Sequence, residues 1–130
     1  MADINRGNRP LSPHLQVYRL PLAAITSILT RITGHALVAG ILLFVWWIVA
    51  AATSDNAFYY ADSVMRSWFG FIVMVGSMWA LWYHLVAGVR HLFYDAGHLM
   101  TIEEAKQASW IVIIASVVLA VITLILFFVV

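Results

Sequence analysis

The chain has 130 residues, enough for one ordinary domain, but 64% are apolar and only 10% charged, against about 45–50% and about 25% in soluble domains. Seven basic and six acidic side chains nearly cancel to a net +1, and there is no cysteine. The composition excludes a disulfide scaffold, thiolate-held zinc or iron–sulfur clusters and covalent haem attachment, so any metal here must use histidine or carboxylate.

Charge placement assigns the class. Uncharged runs fill 32–54, 67–89 and 107–130, or 23, 23 and 24 residues, and a spanning helix needs about 20. The expected fold is therefore an all-α membrane protein with three transmembrane helices. That excludes a soluble enzyme with its own aqueous cleft and a nucleic-acid binder. Three spans are also too few for the paired repeats of many secondary transporters.

In chain order, residues 1–20 form a polar arm carrying Arg6, Arg9 and Arg19, in which Pro10 and Pro13 favour extended backbone. The apolar run that follows is too long for a signal peptide. The expectation is an ordered arm on the inner side, followed by a single three-helix membrane domain over 21–130. Pro21 suits the first position of a helix, since its missing N–H costs nothing there, and the first helix is expected over about 21–53. The connection from Thr53 to Arg66 reads as a loop whose Phe58, Tyr59 and Tyr60, with Trp68, suit an interfacial aromatic belt. The second helix is expected over about 63–96, with Gly97 as its C-terminal cap. Thr101 and Glu104 have the spacing of a capping box, which starts the third helix, over 102–130.

Basic residues near the membrane ends set the orientation. Arg6, Arg9, Arg19, Arg31, Arg90 and Lys106 share one side, leaving Arg66 alone on the other, which places the N-terminus inside and the C-terminus outside. Two histidines, His35 and His84, then fall within spans at comparable depth in the inner half. A buried ionisable group is a functional hypothesis because leaving it unpaired is expensive. Each imidazole can instead bond a neighbouring helix, while neutral imidazole is also a good axial ligand for haem iron. Around His84, the residues Gly76, Ala80, Ala87 or Gly88, and His91 recur at three- and four-residue steps. Such a face of small residues suits close helix packing, which accounts for the glycines but not for the imidazoles. On the first helix Ser27 and Arg31 share a face. Arg31 either snorkels to lipid headgroups or aims a fixed cation at an anion.

Two stretches resemble the succinate dehydrogenase cytochrome b membrane-anchor family of respiratory complex II. One is R-P-L at Arg9–Leu11 followed by S-I-L-T-R at Ser27–Arg31 and Thr33; the other is H-L-V-A-G-V-R-H-L-F-Y-D-A-G at His84–Gly97. The second run matches the family pattern at every constrained position, and the resemblance covers essentially the whole chain. It implies a b-type haem between this chain and a second small anchor subunit, each supplying one axial histidine, here His84. It also implies a ubiquinone pocket that includes Ser27 and Arg31, with Arg31 also near a haem propionate and His91 beside the cofactor. Asp95 matches the same motif, and either His91 or Asp95 could instead hold the inner helix end in register or contact the peripheral subunits. The implied partners are the second anchor, an iron–sulfur subunit, a flavoprotein subunit that oxidises succinate, and membrane lipid. One departure stands out: the family usually has histidine just before the arginine, and this chain has Thr30, which cannot carry a proton near neutral pH.

Three other readings compete with this one. A cofactor-free structural anchor would purify colourless. A proton or ion pathway on His35, His84 and Arg31 lacks polar residues in the outer halves of the spans. Finally, His35 and His84 of the same chain could together ligate the haem, which the resemblance argues against. A start at Met1 without an evident transit sequence favours a bacterial inner membrane over a mitochondrial precursor.

Overall fold

The computed structural model describes residues 17–129, so the R-P-L motif and most of the expected arm lie outside the described residues. Four helices follow one another: α1 (Leu22–Thr53), α2 (Asp55–Arg66), α3 (Trp68–Asp95) and α4 (Ile102–Val129). Three of them, α1, α3 and α4, are long and apolar enough to cross a membrane. Among the described residues there is no strand. The chain is an all-helical bundle with the character of a membrane protein.

Helix α1 has 32 residues and is about 48 Å long, well beyond a hydrocarbon core of about 30 Å. Pro21, expected as the first helical residue, is instead the N-cap, so the helix begins one residue later at Leu22, and the Pro21 carbonyl accepts from the N–H groups of Ala24 and Ile25 at 3.0 and 3.2 Å.

The stretch expected as a loop is instead the 12-residue helix α2. Ser54 leaves the helical region at φ −168°, and its side chain accepts from the Ala57 N–H, so it ends α1 and caps α2. Asp55 in the first turn and Arg66 in the last both oppose the helix dipole. Asp62 and Arg66 pair one turn apart at 2.6 Å, in the favourable acid-first order. Ala61 is fully buried and the Phe58 ring meets Trp47 of α1 at 5.7 Å between centroids, which seats α2 on α1. Tyr59, Tyr60 and Trp68 remain exposed. Ser67 then breaks the chain again and caps α3 by accepting from the Gly70 N–H at 3.2 Å, so α3 begins at Trp68 and not near residue 63.

The corner between α3 and α4 is built from local signals. Gly97 sits at φ +79°, with its N–H on the Tyr94 carbonyl and the His98 N–H on the Phe93 carbonyl, both at 2.9 Å. This paired Schellman closure satisfies the carbonyls that the helix end would orphan. At the start of α4 the Thr101 N–H donates to Glu104 at 3.2 Å and the Glu104 N–H donates to the Thr101 hydroxyl at 3.3 Å, the reciprocal bonds of a capping box.

Helix α3 packs against both α1 and α4, which also touch each other. The core is small: Tyr83, Ala87 and Val112, flanked by Leu29, Trp79, Val86 and Ile113. Only 6% of the most apolar window of α1 is buried within the chain, and 17% of those of α3 and α4. Apolar faces this open suit lipid tails or other spanning helices as neighbours, since water would make them a large aggregation hazard.

Candidate functional site

Helix α1 approaches α3 through small residues. A Cβ on Gly34 would stand 3.2 Å from His84 Cε1, and one on Gly40 would stand 2.6 Å from the Ser77 hydroxyl. The close-packing residues on the α1 side are therefore these two glycines, and the small residues of α3 divide between two roles. Ala80 and Ala87 are buried, whereas Gly76 and Gly88 have nothing within 4 Å of a built Cβ. Gly88 lies one turn from His84 and Gly76 two turns before it, so the line through His84 on α3 is open at these two glycines, with the buried Ala80 between Gly76 and His84.

His84 is exposed on this face. Its Nδ1 lies 3.1 Å from the Thr30 carbonyl oxygen and 3.4 Å from the Thr33 hydroxyl. A carbonyl can only accept, so Nδ1 carries the proton and Nε2 keeps its lone pair. The Thr33 hydroxyl already donates within α1, to the Leu29 and Thr30 carbonyls at 2.9 and 3.0 Å. Nε2 has no hydrogen-bond partner among the described residues. An imidazole fixed by a backbone carbonyl at one nitrogen and open at the other fits an axial haem ligand, in orientation and in tautomer.

A shallow depression of about 310 Å³ lies beside it, lined by Thr30, Arg31, Gly34, His35, Val38 and His84. The structure thus brings Arg31 and His84 to one surface, from helices α1 and α3. Arg31 is exposed there, with no ion-pair or hydrogen-bond partner among the described residues. His35 joins the same depression, but its Nδ1 is held by the Arg31 carbonyl of its own helix at 2.8 Å. Ser27, half-buried one turn before Arg31, is outside the lining. His91 also lies outside it. Seven residues after His84, it shares that face of α3 about 10 Å further along the axis, with its ring edge-on to Tyr94 at 5.9 Å. Thr30, which departs from the family pattern, serves His84 through its carbonyl, while its hydroxyl donates to the Thr26 carbonyl at 2.9 Å.

Sequence reasoning missed a second polar group. Arg90 reads as a charge at the inner helix end, yet it is only 4% exposed. Its Nη1 donates to the Thr26 hydroxyl at 2.7 Å and to the Ser109 hydroxyl at 3.2 Å. Thr26 and Ser109 are both fully buried, and the Tyr83 hydroxyl donates to the Thr26 carbonyl at 2.9 Å. One cluster thereby joins α1, α3 and α4.

This geometry defines a class of protein: a polytopic helical membrane subunit that presents a tautomer-fixed histidine and an unpaired arginine on one open face. The chain matches the succinate dehydrogenase/fumarate reductase transmembrane subunit family over residues 5–124 and belongs to it. It is 74% identical over 129 residues to the succinate dehydrogenase cytochrome b556 subunit of Paracoccus denitrificans, covering 99% of each chain. The Rickettsia felis cytochrome b556 subunit is 34% identical over 111 residues, covering 85% of this chain and 86% of the relative. The mitochondrial cytochrome b560 subunit of Sus scrofa is 36% identical over 114 residues, covering 85% of this chain and 66% of its own.

Proposed function

We propose that this chain is the membrane-anchor cytochrome b subunit of a succinate:quinone oxidoreductase, contributing His84 as one axial ligand of a haem b and Ser27 and Arg31 to a ubiquinone-reduction site. The observation that carries the haem assignment is the bond from His84 Nδ1 to the Thr30 carbonyl, which leaves Nε2 facing outward on a glycine-flanked strip. Family membership and the cytochrome b names of the relatives support it. A second small anchor subunit would cover the open face and supply the other haem ligand. His91, on the same face, is assigned to the edge of the cofactor. An iron–sulfur subunit and a flavoprotein subunit dock on the inner side, and the outer side carries α2. The Paracoccus and Rickettsia relatives favour a bacterial inner membrane, and the porcine relative is mitochondrial.

Succinate oxidation belongs to the flavoprotein partner. A haem held by His84 would supply one-electron chemistry. The residues of this chain act on the quinone by hydrogen bonding and charge. The Ser27 hydroxyl donates to a quinone carbonyl oxygen, and the Arg31 guanidinium stabilises negative charge as that oxygen is reduced. Arginine does not surrender its proton near neutral pH, so both protons of the quinol come from water or another side chain.

The test compares two electron acceptors in the assembled four-subunit complex. Ser27→Ala and Arg31→Leu should each impair quinone reduction while sparing succinate oxidation by a soluble artificial acceptor. Unimpaired quinone reduction in both variants would remove the site assignment, whereas equal loss with both acceptors would point to failed assembly. For the haem, His84→Leu should abolish or shift the b-type signal in a reduced-minus-oxidised spectrum. A complex that is correctly assembled and colourless at the haem bands before any substitution would leave only a structural anchor.

A further inference from the structure

Arg90 is used by nothing in the proposed reading, yet it is the one cation buried among the described residues. Its Nη1 is held by two hydroxyls, its Nε is buried without a partner, and its guanidinium carbon stands 5.7 Å from the centre of the Tyr94 ring. None of these groups carries a negative charge. The single ion pair among the described residues is Asp62–Arg66, on α2. Arg90 also borders a cavity of about 290 Å³ lined mainly by apolar side chains, Val86, Phe93, Ile111 and Val112 among them, with Glu104 and Gln107 also on its wall, but Glu104 forms no ion pair with it. Arginine cannot shed its proton to escape such a place. The fold therefore maintains a permanent positive charge with no ion-pair partner among the described residues, in largely apolar surroundings where screening is weak.

Its position relative to the site is fixed through chain neighbours. Thr26, which accepts from Arg90, immediately precedes Ser27, and Tyr83, which donates to the same Thr26, immediately precedes His84. Along α3, Arg90 lies six residues, or about 9 Å, from His84. Adding an electron to an acceptor beside these residues makes it more negative, and a fixed cation at this range favours the reduced form.

We propose that Arg90 is an electrostatic positioning residue: its buried charge, clamped by Thr26 and Ser109, raises the electron affinity of the acceptors held beside His84, Ser27 and Arg31. This rests on the haem and quinone assignment above.

The experiment is an optical redox titration of the haem in the assembled complex, unaltered and with Arg90→Gln, Arg90→Lys and Thr26→Val. Glutamine removes the charge while keeping a donor, so the midpoint potential should fall at unchanged haem content. Lysine keeps the charge and should restore the potential toward that of the unaltered complex. If Arg90→Gln does not assemble, Thr26→Val decides, because it releases the guanidinium without removing it and should still move the potential. A haem signal whose potential moves in neither Arg90→Gln nor Thr26→Val overturns this inference alone. No haem signal in the unaltered complex overturns the functional reading together with it.

Discussion

His84 Nδ1 and the backbone carbonyl of Thr30 lie 3.1 Å apart across the α1–α3 interface. The same carbonyl also accepts from the Thr33 hydroxyl at 3.0 Å, and threonines recur along this part of α1. Thr26, Thr30 and Thr33 each return a hydroxyl to a carbonyl of the preceding turn, a pattern that bends helices slightly and tilts carbonyls outward. The contact is made by main chain, so replacing the Thr30 side chain should leave it intact. Thr30→Ala should retain the haem signal, with a stability loss near the average of about 0.6 kcal/mol for a hydrogen bond inside a membrane protein. Thr30→His, which restores the residue usual in the family, should likewise keep the ligation. Loss of the haem bands in Thr30→Ala would show that the side chain, not the carbonyl, orients His84.

Gly34 sets how close α1 can come to that imidazole. A methyl group there would stand 3.2 Å from His84 Cε1 and 3.7 Å from Nδ1, tight enough that the ring or the helix must give. Gly34→Ala should therefore lengthen the His84–Thr30 bond and shift the haem spectrum or potential while the complex still assembles. Gly88→Ala is the matched control within this chain, since nothing lies within 4 Å of its Cβ position. An unshifted spectrum in Gly34→Ala would mean that α1 yields and the ring does not.

The sharp break between α2 and α3 depends on Gly70. A Cβ there would run into the backbone carbonyls of Val64 and Met65, and backbone cannot rotate away as a side chain can. Gly70→Ala should cost about 1–3 kcal/mol, the usual range for overpacking, and lower the denaturation midpoint in detergent. Gly76→Ala, in open space, should leave that midpoint nearly unchanged.

What could be read from the chain and what could not divides along physical lines. Spans announce themselves because three uncharged runs exceed the thickness of the hydrocarbon core, and the Gly97 closure and the Thr101–Glu104 box are local signals with local chemistry. Helix α2 escaped notice because it is short, polar on average and lies between aromatic residues that suit an interface equally well as loop. Its own markers were present, Ser54 before Asp55 and the Asp62–Arg66 pair, but a span-length search passes over them. Arg90 was misjudged for a different reason. Its hydroxyl partners lie 64 and 19 residues away in sequence, and only the packing of three helices reveals that a charge at a helix end is enclosed. The pairing of His84 with the depression beside Arg31 is likewise a tertiary fact. Motif spacing places each residue on its own helix but cannot say that the two share a surface.

The α3–α4 contact offers a clean measure of what one polar pair contributes inside this bundle. Trp82 Nε1 donates to the Thr123 hydroxyl at 2.9 Å, and Thr123 in turn donates to the Leu119 carbonyl at 2.8 Å, so its hydroxyl is fully oriented before the indole arrives. Trp82→Phe removes the donor and some ring volume, whereas Thr123→Val removes the acceptor at nearly constant size. The double-mutant cycle separates the bond from the volume, because the lost ring volume appears equally with threonine or valine opposite. The coupling should fall near about 0.6 kcal/mol and below about 1.7 kcal/mol, the span found for such bonds within membranes. A coupling indistinguishable from zero would mean that the bond adds nothing net, in line with two buried indole N–H groups elsewhere, Trp47 and Trp79, that stand without any partner among the described residues. The haem spectrum of both single variants should be unaltered, because this bond lies on the side of α3 away from α1 and His84.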